Sequence, residues 1–275
     1  MGKLEGKAAL VTGAGRGVGA AIARKLASEG ARVLVNDLDA GPADETVAAV
    51  RDEGGEAEPL PGDVAAPDFG ERAVAAILEH FGRLDIVVNN AGYIWNTSLQ
   101  KTVDEQWYAM LDVHATAPFR ILRAAVPYLR DAVARETAAG EPVHRKVVNV
   151  SSISGLYGAA TQIAYSAGKA AQIGITRSLA KEWGRYRVNV NCVAFGYIET
   201  RLTQPLTRGE ARIQVGAREL KVGLDPAYVE RMRELIPLGR PGTPEEAAGA
   251  VYLFCSPESD YVSGQIVVAG GGLLL

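Results

Sequence analysis

Residues 7–19 read KAALVTGAGRGVG, an apolar run that leads directly into a glycine-rich turn. The run Lys7–Thr12 predicts a β-strand, and the Ala-rich stretch from Gly17 to Gly30 predicts a helix. Glycine suits such a turn because its backbone adopts angles that other residues resist. It also lets a phosphate approach the N–H groups at the positive end of the helix. This order predicts a dinucleotide-binding βαβ unit, and a tight turn without a ligand is the alternative.

Short apolar strands and amphipathic helices alternate along the rest of the chain. Further strands are predicted at 31–36, 56–61, 84–89, 146–151, 188–194 and 265–269. Nearly continuous apolar strands that alternate with helices indicate a parallel sheet covered on both faces. We therefore predict an α/β protein with a single doubly wound Rossmann-type domain over residues 1–275, built on a seven-stranded parallel sheet with helices on both faces.

One long helical region and two further segments depart from this regular alternation. A long helical region is predicted at 103–139, with kinks at Pro118 and Pro127. Two segments do not fit the pattern: the polar stretch Asp131–Arg145, and Arg201–Arg240 between the sixth strand and the next helix. Long insertions in compact folds are usually functional loops or segments without order.

Composition and charge exclude several classes of protein. The formal net charge is −3 and the basic residues are scattered, so we expect no nucleic-acid partner. No apolar run reaches the roughly 20 residues of a membrane span, and no apolar leader is found, so we expect neither a membrane protein nor a secreted one. The two cysteines, Cys192 and Cys255, lie in apolar runs and are expected to be buried free thiols. These features predict a cytoplasmic protein.

The choice of dinucleotide is predicted from the end of the second strand. Asp37 follows Gly19 by eighteen positions, close to the offset of about 20 residues expected for the acid that binds the adenosine ribose. A carboxylate there repels a 2′-phosphate, so NAD is favoured over NADP. Asp39 is a competing candidate, and Arg16 favours NADP because a cation in this turn could pair with the phosphate.

Tyr165 and Lys169 are four positions apart on a predicted helix, hence on one face of it. This spacing alone is weak, because an exposed tyrosine and a solvated lysine would also produce it. Two neighbours strengthen it: Ser151-Ser152 ends the fifth strand, and Asn89–Gly92 ends the fourth. Ligands of open α/β sheets bind beyond the carboxyl ends of the strands.

Together these motifs resemble the short-chain dehydrogenase/reductase family over nearly the whole chain. The resemblance rests on the glycine turn, on Asp63-Val64, on Asn89-Asn90-Ala91-Gly92, on Ser152 with Tyr165 and Lys169, on Gly196…Thr200, and on Gly264–Gly271. Among subgroups the chain is most similar to 3-oxoacyl-carrier-protein reductases and to hydroxyacyl-CoA and hydroxysteroid dehydrogenases.

The resemblance implies a role for each matching residue. Tyr165 is implied as the general acid/base, Lys169 as the group that holds the nicotinamide ribose and lowers the tyrosine pKa, and Ser152 as a donor to the substrate oxygen. Near a working pH of 7 a lowered tyrosine pKa favours proton transfer. The implied cofactor-binding residues are Gly13, Arg16, Gly17, Val18, Gly19, Asp37, Asp63, Val64, Asn90, Ala91, Gly92, Tyr165, Lys169, Gly196, Ile198 and Thr200.

The chain departs from the family pattern at two positions. His114 stands where the family has a proton-relay Asn, so it is a fourth candidate catalytic residue; a structural histidine tied to backbone at a helix kink before Pro118 is an equal alternative. Phe195 replaces the usual Pro before Gly196. This change predicts a less rigid loop or an aromatic ring packed near the nicotinamide.

The segment at about 201–240 follows the cofactor loop and is predicted to be a substrate lid. Its apolar residues and arginines suit an acyl chain on a phosphorylated carrier, and a solvated amphipathic helix explains them equally well. The terminal Leu273, Leu274 and Leu275 would be unfavourable in water. Their burial in a subunit interface fits the homotetramers typical of the family, and a frayed tail is the alternative.

The function predicted from these observations is hydride transfer between NAD(H) and a secondary alcohol or ketone, with 3-hydroxyacyl and 3-oxoacyl thioesters as candidate substrates. A dinucleotide-binding sensor or scaffold without turnover is the main alternative, and a nucleotide-sugar epimerase is a third. The histidines are not clustered with other ligands, so no metal is expected.

Overall fold

We analysed a computed structural model that describes residues 2–141, 143–201, 203, 211–216, 218–223 and 225–273. Seven strands form one parallel sheet in the order β3-β2-β1-β4-β5-β6-β9. The strands are β1 Ala8–Val11, β2 Arg32–Asp37, β3 Glu56–Pro61, β4 Ile86–Asn89, β5 Arg145–Ser152, β6 Val188–Phe195 and β9 Ile266–Ala269. The strand order reverses between β1 and β4, where open sheets of this kind bind their ligands.

Helices cover both faces of the sheet, so the predicted fold class is confirmed. The helices are α1 Gly17–Ser28, α2 Ala40–Asp52, α3 Phe69–Phe81, α4 Asp104–Leu111, α5 Ala117–Ala139, α6 Ile153–Tyr157, α7 Ile163–Glu182, α8 Pro226–Leu235 and α9 Pro244–Cys255. Helices α1, α2 and α9 contribute to one buried apolar cluster, with Ile22 and Phe254 among its members. Helices α3, α5 and α7 contribute to the other, which contains Ile77 and Ile121. Two independent cores fix the sheet between them because each face buries its own apolar side chains.

The long helical region contains an irregular turn. A π-helical segment, Asp112–Thr116, joins α4 to α5, and Pro118 lies in the first turn of α5, where a missing N–H is tolerated. Helix α5 continues through Pro127 to Ala139. The predicted helical region therefore ends at residue 139 as expected, and it includes much of the polar stretch 131–145.

The segment from residue 201 to 240 contains regular structure that the sequence did not predict. Strands β7 Ala211–Val215 and β8 Arg218–Val222 form a two-stranded antiparallel hairpin, and α8 follows. Several of the apolar residues on which the lid prediction depended, including Leu202, Leu206 and Leu224, lie outside the described residues.

The chain's own core, rather than a subunit interface, buries Leu273. Its side chain is 1% exposed and packs in a small cluster with Ile153, Tyr197, Val229 and Met232. Burial of Leu273 therefore does not require a subunit interface, because residues of α8 already cover its side chain. Leu274 and Leu275 lie outside the described residues. Both cysteines are buried and free, as expected.

Candidate active site

The glycine turn after β1 is tightly packed at Gly19 and open at Gly17. Gly13 and Gly17 have φ values of 61° and 55°, in the left-handed region that favours glycine. A Cβ on Gly19 would lie 2.0 Å from the Gly13 carbonyl oxygen, so no side chain fits there. A Cβ on Gly17 would meet only the Thr200 methyl, at 4.0 Å. The turn therefore leaves open space over the positive end of α1, which fits a dinucleotide pyrophosphate.

All of the residues predicted for the site line one cavity of about 410 Å³ at the carboxyl edge of the sheet. The lining includes Gly13, Arg16, Gly17, Val18, Gly19, Asp37, Asp63, Val64, Asn90, Ala91, Gly92, His114, Ser152, Tyr165, Lys169, Gly196, Ile198 and Thr200. These residues come from many separate strands and loops. They meet because the carboxyl ends of parallel strands share one edge of the sheet.

Asn90 supports the glycine turn from below. Its side-chain amide donates hydrogen bonds to the carbonyls of Thr12 and Gly13, at 2.9 and 3.1 Å. The Thr12 hydroxyl in turn accepts the backbone N–H groups of Asn90 and Ala91, each at 3.0 Å. Thr12 is therefore a positioning residue that the sequence interpretation had included in the turn but not in the site.

Asp37 lies at the end of β2 with its carboxylate turned towards the glycine turn. The backbone N–H of Gly15 donates to Asp37 Oδ2 at 2.9 Å, and that of Asp39 donates to Oδ1 at 3.3 Å. The competing residues interact with each other, because Arg16 Nη1 lies 3.4 Å from Asp39 Oδ2 in an exposed ion pair. The fixed carboxylate next to the turn is thus Asp37, and the Arg16 charge is partly neutralised.

Ser152, Tyr165 and Lys169 are brought together by β5 and α7. Ser152 ends β5 and caps α6, accepting the Ser154 N–H at 3.2 Å. Lys169 is one helical turn beyond Tyr165, and its ammonium donates to the Val150 carbonyl at 2.7 Å while lying 5.8 Å from the Tyr165 ring centroid. The side chains of Tyr165 and Lys169 are nearly fully buried.

Burial dominates the proton affinities of this pair. It raises the pKa of Tyr165 to about 12, opposed by a hydrogen bond with the Ser152 side chain. Burial also lowers the pKa of Lys169 to about 8. Desolvation disfavours the charged form of each group, which explains both directions. The lowered tyrosine pKa expected from the sequence is therefore not produced by the protein groups alone.

His114 is buried in the π-helical turn between two glycines. A Cβ on Gly92 would lie 2.2 Å from His114 Cε1, and one on Gly168 would lie 2.9 Å from His114 Cβ. Its Nε2 hydrogen-bonds the Tyr93 carbonyl at 3.0 Å, and its ring packs edge-to-face on Tyr165 with centroids 5.1 Å apart. Because a carbonyl only accepts, Nε2 carries the proton, and the buried Nδ1 has no partner among the described residues. This geometry matches the alternative of a structural histidine that is tied to backbone at a helix irregularity.

His114 stays uncharged in the folded protein at neutral pH. Burial, and then the nearby Lys169 charge, lower its pKa well below the ordinary value of 6.5, with only the Tyr93 hydrogen bond acting in the other direction. The unfolded chain still takes up this proton near pH 6.5. Below that pH the unfolded state therefore binds more protons than the folded state, and stability falls as pH falls.

We expect His114→Asn to reduce this acid sensitivity. Between pH 6.5 and 5 the parent should lose up to about 1.4 kcal/mol of unfolding free energy per pH unit through His114 alone, and the variant should not. Urea unfolding at several pH values measures both slopes. His80→Asn, at an exposed position, is the matched control and should keep the parent slope. Equal slopes for the parent and His114→Asn would show that the histidine protonates in the folded state.

The far side of the cavity contains groups that the sequence interpretation missed. The Ser154 hydroxyl donates to Gln162 Oε1 at 3.0 Å, and both residues line the cavity together with Ile153, Tyr197 and Met232. No motif singles out Ser154 and Gln162, because they are eight positions apart and meet through the packing of α6 on α7. Phe195 ends β6 and is 8% exposed at the cavity wall, so its ring is part of the packed core.

Thr161, the residue before Gln162, has a strained backbone conformation. Its φ is 64°, a genuine outlier for a β-branched residue, and its carbonyl accepts the Thr97 N–H at 2.8 Å. This contact ties the loop after β4 to the start of α7. The strain lies beside the cavity, where such backbone outliers often occur.

We expect Thr161→Gly to raise the unfolding free energy by about 1 kcal/mol, because glycine adopts positive φ without steric cost and the threonine side chain is exposed. Chemical denaturation measures the change. Thr161→Ala is the matched control, since alanine removes the branched side chain but keeps most of the backbone strain. A glycine variant no more stable than the alanine variant would contradict the account of strain.

Comparisons with known proteins give one consistent picture. A family model described as short chain dehydrogenase matches residues 7–211. The chain is 34% identical over 273 residues to the 3-oxoacyl-acyl-carrier-protein reductase FabG of Thermotoga maritima, covering 99% of this chain and 100% of that protein. It is 36% identical over 264 residues to the short-chain reductase NovJ of Streptomyces niveus, covering 96% and 92%. A crystal structure of a Sinorhizobium meliloti protein assigned to the short-chain alcohol dehydrogenases has a TM-score of 0.84 and 31% identity, covering 98% and 97%.

Proposed function

This chain belongs to the short-chain dehydrogenase family of oxidoreductases, and we propose that it transfers hydride between NAD(H) and C3 of a 3-oxoacyl or 3-hydroxyacyl thioester. The observation that carries the proposal is the meeting of Ser152, Tyr165 and Lys169 with the glycine turn in one cavity. A binding protein without turnover has no need of a buried tyrosine and lysine next to its ligand, since burying such groups costs free energy.

The protein's own groups are suited to proton transfer and to orienting a carbonyl. A nicotinamide dinucleotide, when bound, supplies or accepts the hydride. The Ser152 hydroxyl donates to the substrate oxygen and holds it near Tyr165. Because burial keeps Tyr165 protonated at neutral pH, its hydroxyl can donate a proton to a ketone oxygen. Lys169, held by the Val150 carbonyl, binds the ribose and keeps positive charge near the phenol.

The shape and chemistry of the cavity support an acyl thioester as substrate. Ile153, Tyr197 and Met232 offer an apolar wall for an acyl chain, next to the polar pair Ser154 and Gln162. Several relatives, including the Thermotoga protein, are named as reductases of 3-oxoacyl groups on acyl-carrier protein. The segment at about 201–240 is proposed to close over this side of the cavity as a lid.

NAD is the proposed cofactor because of Asp37. Its carboxylate is fixed at the end of β2 by the Gly15 N–H, where it would accept hydrogen bonds from ribose hydroxyls and repel a 2′-phosphate. Arg16, the cation that could compensate a phosphate, is paired with Asp39.

We further propose a cytoplasmic homotetramer that acts on a small molecule without a nucleic-acid or membrane partner. Exposed apolar side chains on two parts of the surface support association: Val103, Tyr108, Phe119, Leu253, Tyr261 and Val267. Buried free thiols at Cys192 and Cys255 suit a reducing compartment. Within the described residues, no helix is both long and apolar enough to cross a membrane.

The deciding experiment measures NADH and NADPH oxidation with 3-oxoacyl thioesters, and NAD reduction with hydroxyacyl thioesters, steroids, polyols and small secondary alcohols. We expect acyl thioesters to turn over fastest, with NADH preferred. Binding of NADH without turnover of any substrate in the panel would favour the sensor. Turnover of alcohols but not of thioesters would contradict the substrate class and leave the reaction class intact.

A further inference from the structure

The loop after β6 is held rigidly next to the glycine turn. The Thr203 hydroxyl donates to the Ile198 carbonyl at 2.6 Å and accepts the Thr200 N–H at 2.8 Å. On the other side, Gly242 exchanges backbone hydrogen bonds with Tyr197 and Glu199, at 3.0 and 2.9 Å. These bonds hold Thr200 and Thr203, on either side of Arg201, next to the cavity that Arg201 lines.

Arg201 lies at the cavity wall, and none of the described residues is its ionic partner. It is exposed, lines the cavity, and makes no hydrogen bond or ion pair with any residue that the structure describes. Among the described lining residues there are two other cations, and both are engaged: Arg16 with Asp39, and Lys169 with the Val150 carbonyl. A guanidinium that no described residue pairs, at a cavity whose glycine turn suits an anion, indicates a group available to that anion.

The part of the cavity next to Arg201 is the positive end of α1. Thr200, its neighbour in the chain, places a methyl group 4.0 Å from where a Cβ on Gly17 would lie. A helix N-terminus supplies only about half a positive charge, whereas a dinucleotide pyrophosphate carries two negative charges. None of the side chains of the glycine turn itself supplies the balance, because Arg16 is already paired.

We propose that Arg201 closes over the cofactor's pyrophosphate and pairs with it from the side opposite the glycine turn. The inference rests on the proposed function, since it takes a dinucleotide to be the ligand. A guanidinium presents a planar fork of donors that matches phosphate oxygens, so arginine suits this position better than lysine. The loop after β6 thereby contacts the cofactor at the pyrophosphate as well as at the nicotinamide.

The test is direct binding of NADH and of ADP-ribose, which carries the same pyrophosphate but no nicotinamide. We expect Arg201→Gln to raise the Kd of both ligands by about tenfold, as for loss of one charge-assisted hydrogen bond at a partly exposed site. Arg201→Lys should recover part of the affinity. The variant's affinity should also depend less on salt than the parent's, because one ionic contact is missing.

The matched control is Arg130→Gln, which removes an arginine exposed on α5 and outside the cavity; its Kd values should equal the parent's. Unchanged Kd values for Arg201→Gln would overturn the proposal. A raised KM for the acyl thioester with unchanged Kd for both nucleotides would also overturn it, since Arg201 would then serve the substrate. A parent that binds neither NADH nor ADP-ribose would instead overturn the proposed function itself.

Discussion

Replacing Tyr165 with phenylalanine is expected to lower kcat for thioester reduction by about 10³-fold, within the range of general acid–base contributions. The change removes one oxygen atom, the one that hydrogen-bonds Ser152 and carries the transferable proton. The ring and its edge-to-face contact with His114, 5.1 Å between centroids, remain. The fold and the glycine turn should therefore be preserved.

Two measurements separate a chemical effect of this substitution from a structural one. The Kd for NADH should change by less than about threefold, because the phenol is not required to hold the pyrophosphate at α1. Tyr261→Phe is the matched control. It removes the same atom from a fully exposed ring outside the cavity lining and leaves the apolar ring in place, so this variant should retain full activity. A Tyr165→Phe enzyme that turns over as fast as the parent would refute the mechanism.

Replacing Asp37 with serine is expected to change the ratio of kcat/KM for NADPH to that for NADH by about 100-fold in favour of NADPH. Serine can still accept the Gly15 N–H, which now donates to Asp37 Oδ2 at 2.9 Å, so the turn should keep its shape. What is lost is a negative charge that repels a 2′-phosphate and accepts hydrogen bonds from the ribose, an interaction worth about 3 kcal/mol in total.

Asp39→Ser is the control that tests the alternative assignment. It frees Arg16 from its ion pair, 3.4 Å and exposed, and should improve NADPH use only severalfold. A larger change of preference for Asp39→Ser than for Asp37→Ser would assign selectivity to the Arg16–Asp39 pair. Steady-state rates with both cofactors at matched thioester concentration provide the comparison.

The predicted site residues meet in one cavity for a reason that the sequence already contained. Each motif ends a strand, as Ser152 ends β5, directly follows one, as Asn90 follows β4, or lies near the start of the next helix. In a parallel sheet the positions after the strands necessarily share one edge, so the order of motifs was sufficient to predict their meeting. The spacing of Tyr165 and Lys169 likewise follows from helix geometry alone.

Contacts between distant segments were not predictable in this way. The polar pair Ser154 and Gln162 depends on α6 packing against α7 and on the strained backbone at Thr161. The hairpin of β7 and β8 lies in a segment whose charges and apolar residues gave no clear periodicity. Leu273 packs against α8, a contact between distant segments that its place near the end of the chain does not predict.

The sequence by itself determined the fold class, the carboxyl-edge cavity and many of the residues that line it, because the succession of strands and helices along the chain, glycine geometry and helical spacing can all be read from local sequence. Only the tertiary structure decided the charge states within that cavity. Burial, not the neighbouring lysine, dominates the pKa of Tyr165, and the gap left by Gly92 and Gly168 holds His114 neutral against the phenol ring. Desolvation depends on every atom packed around a group, and that packing exists only once distant segments have come together.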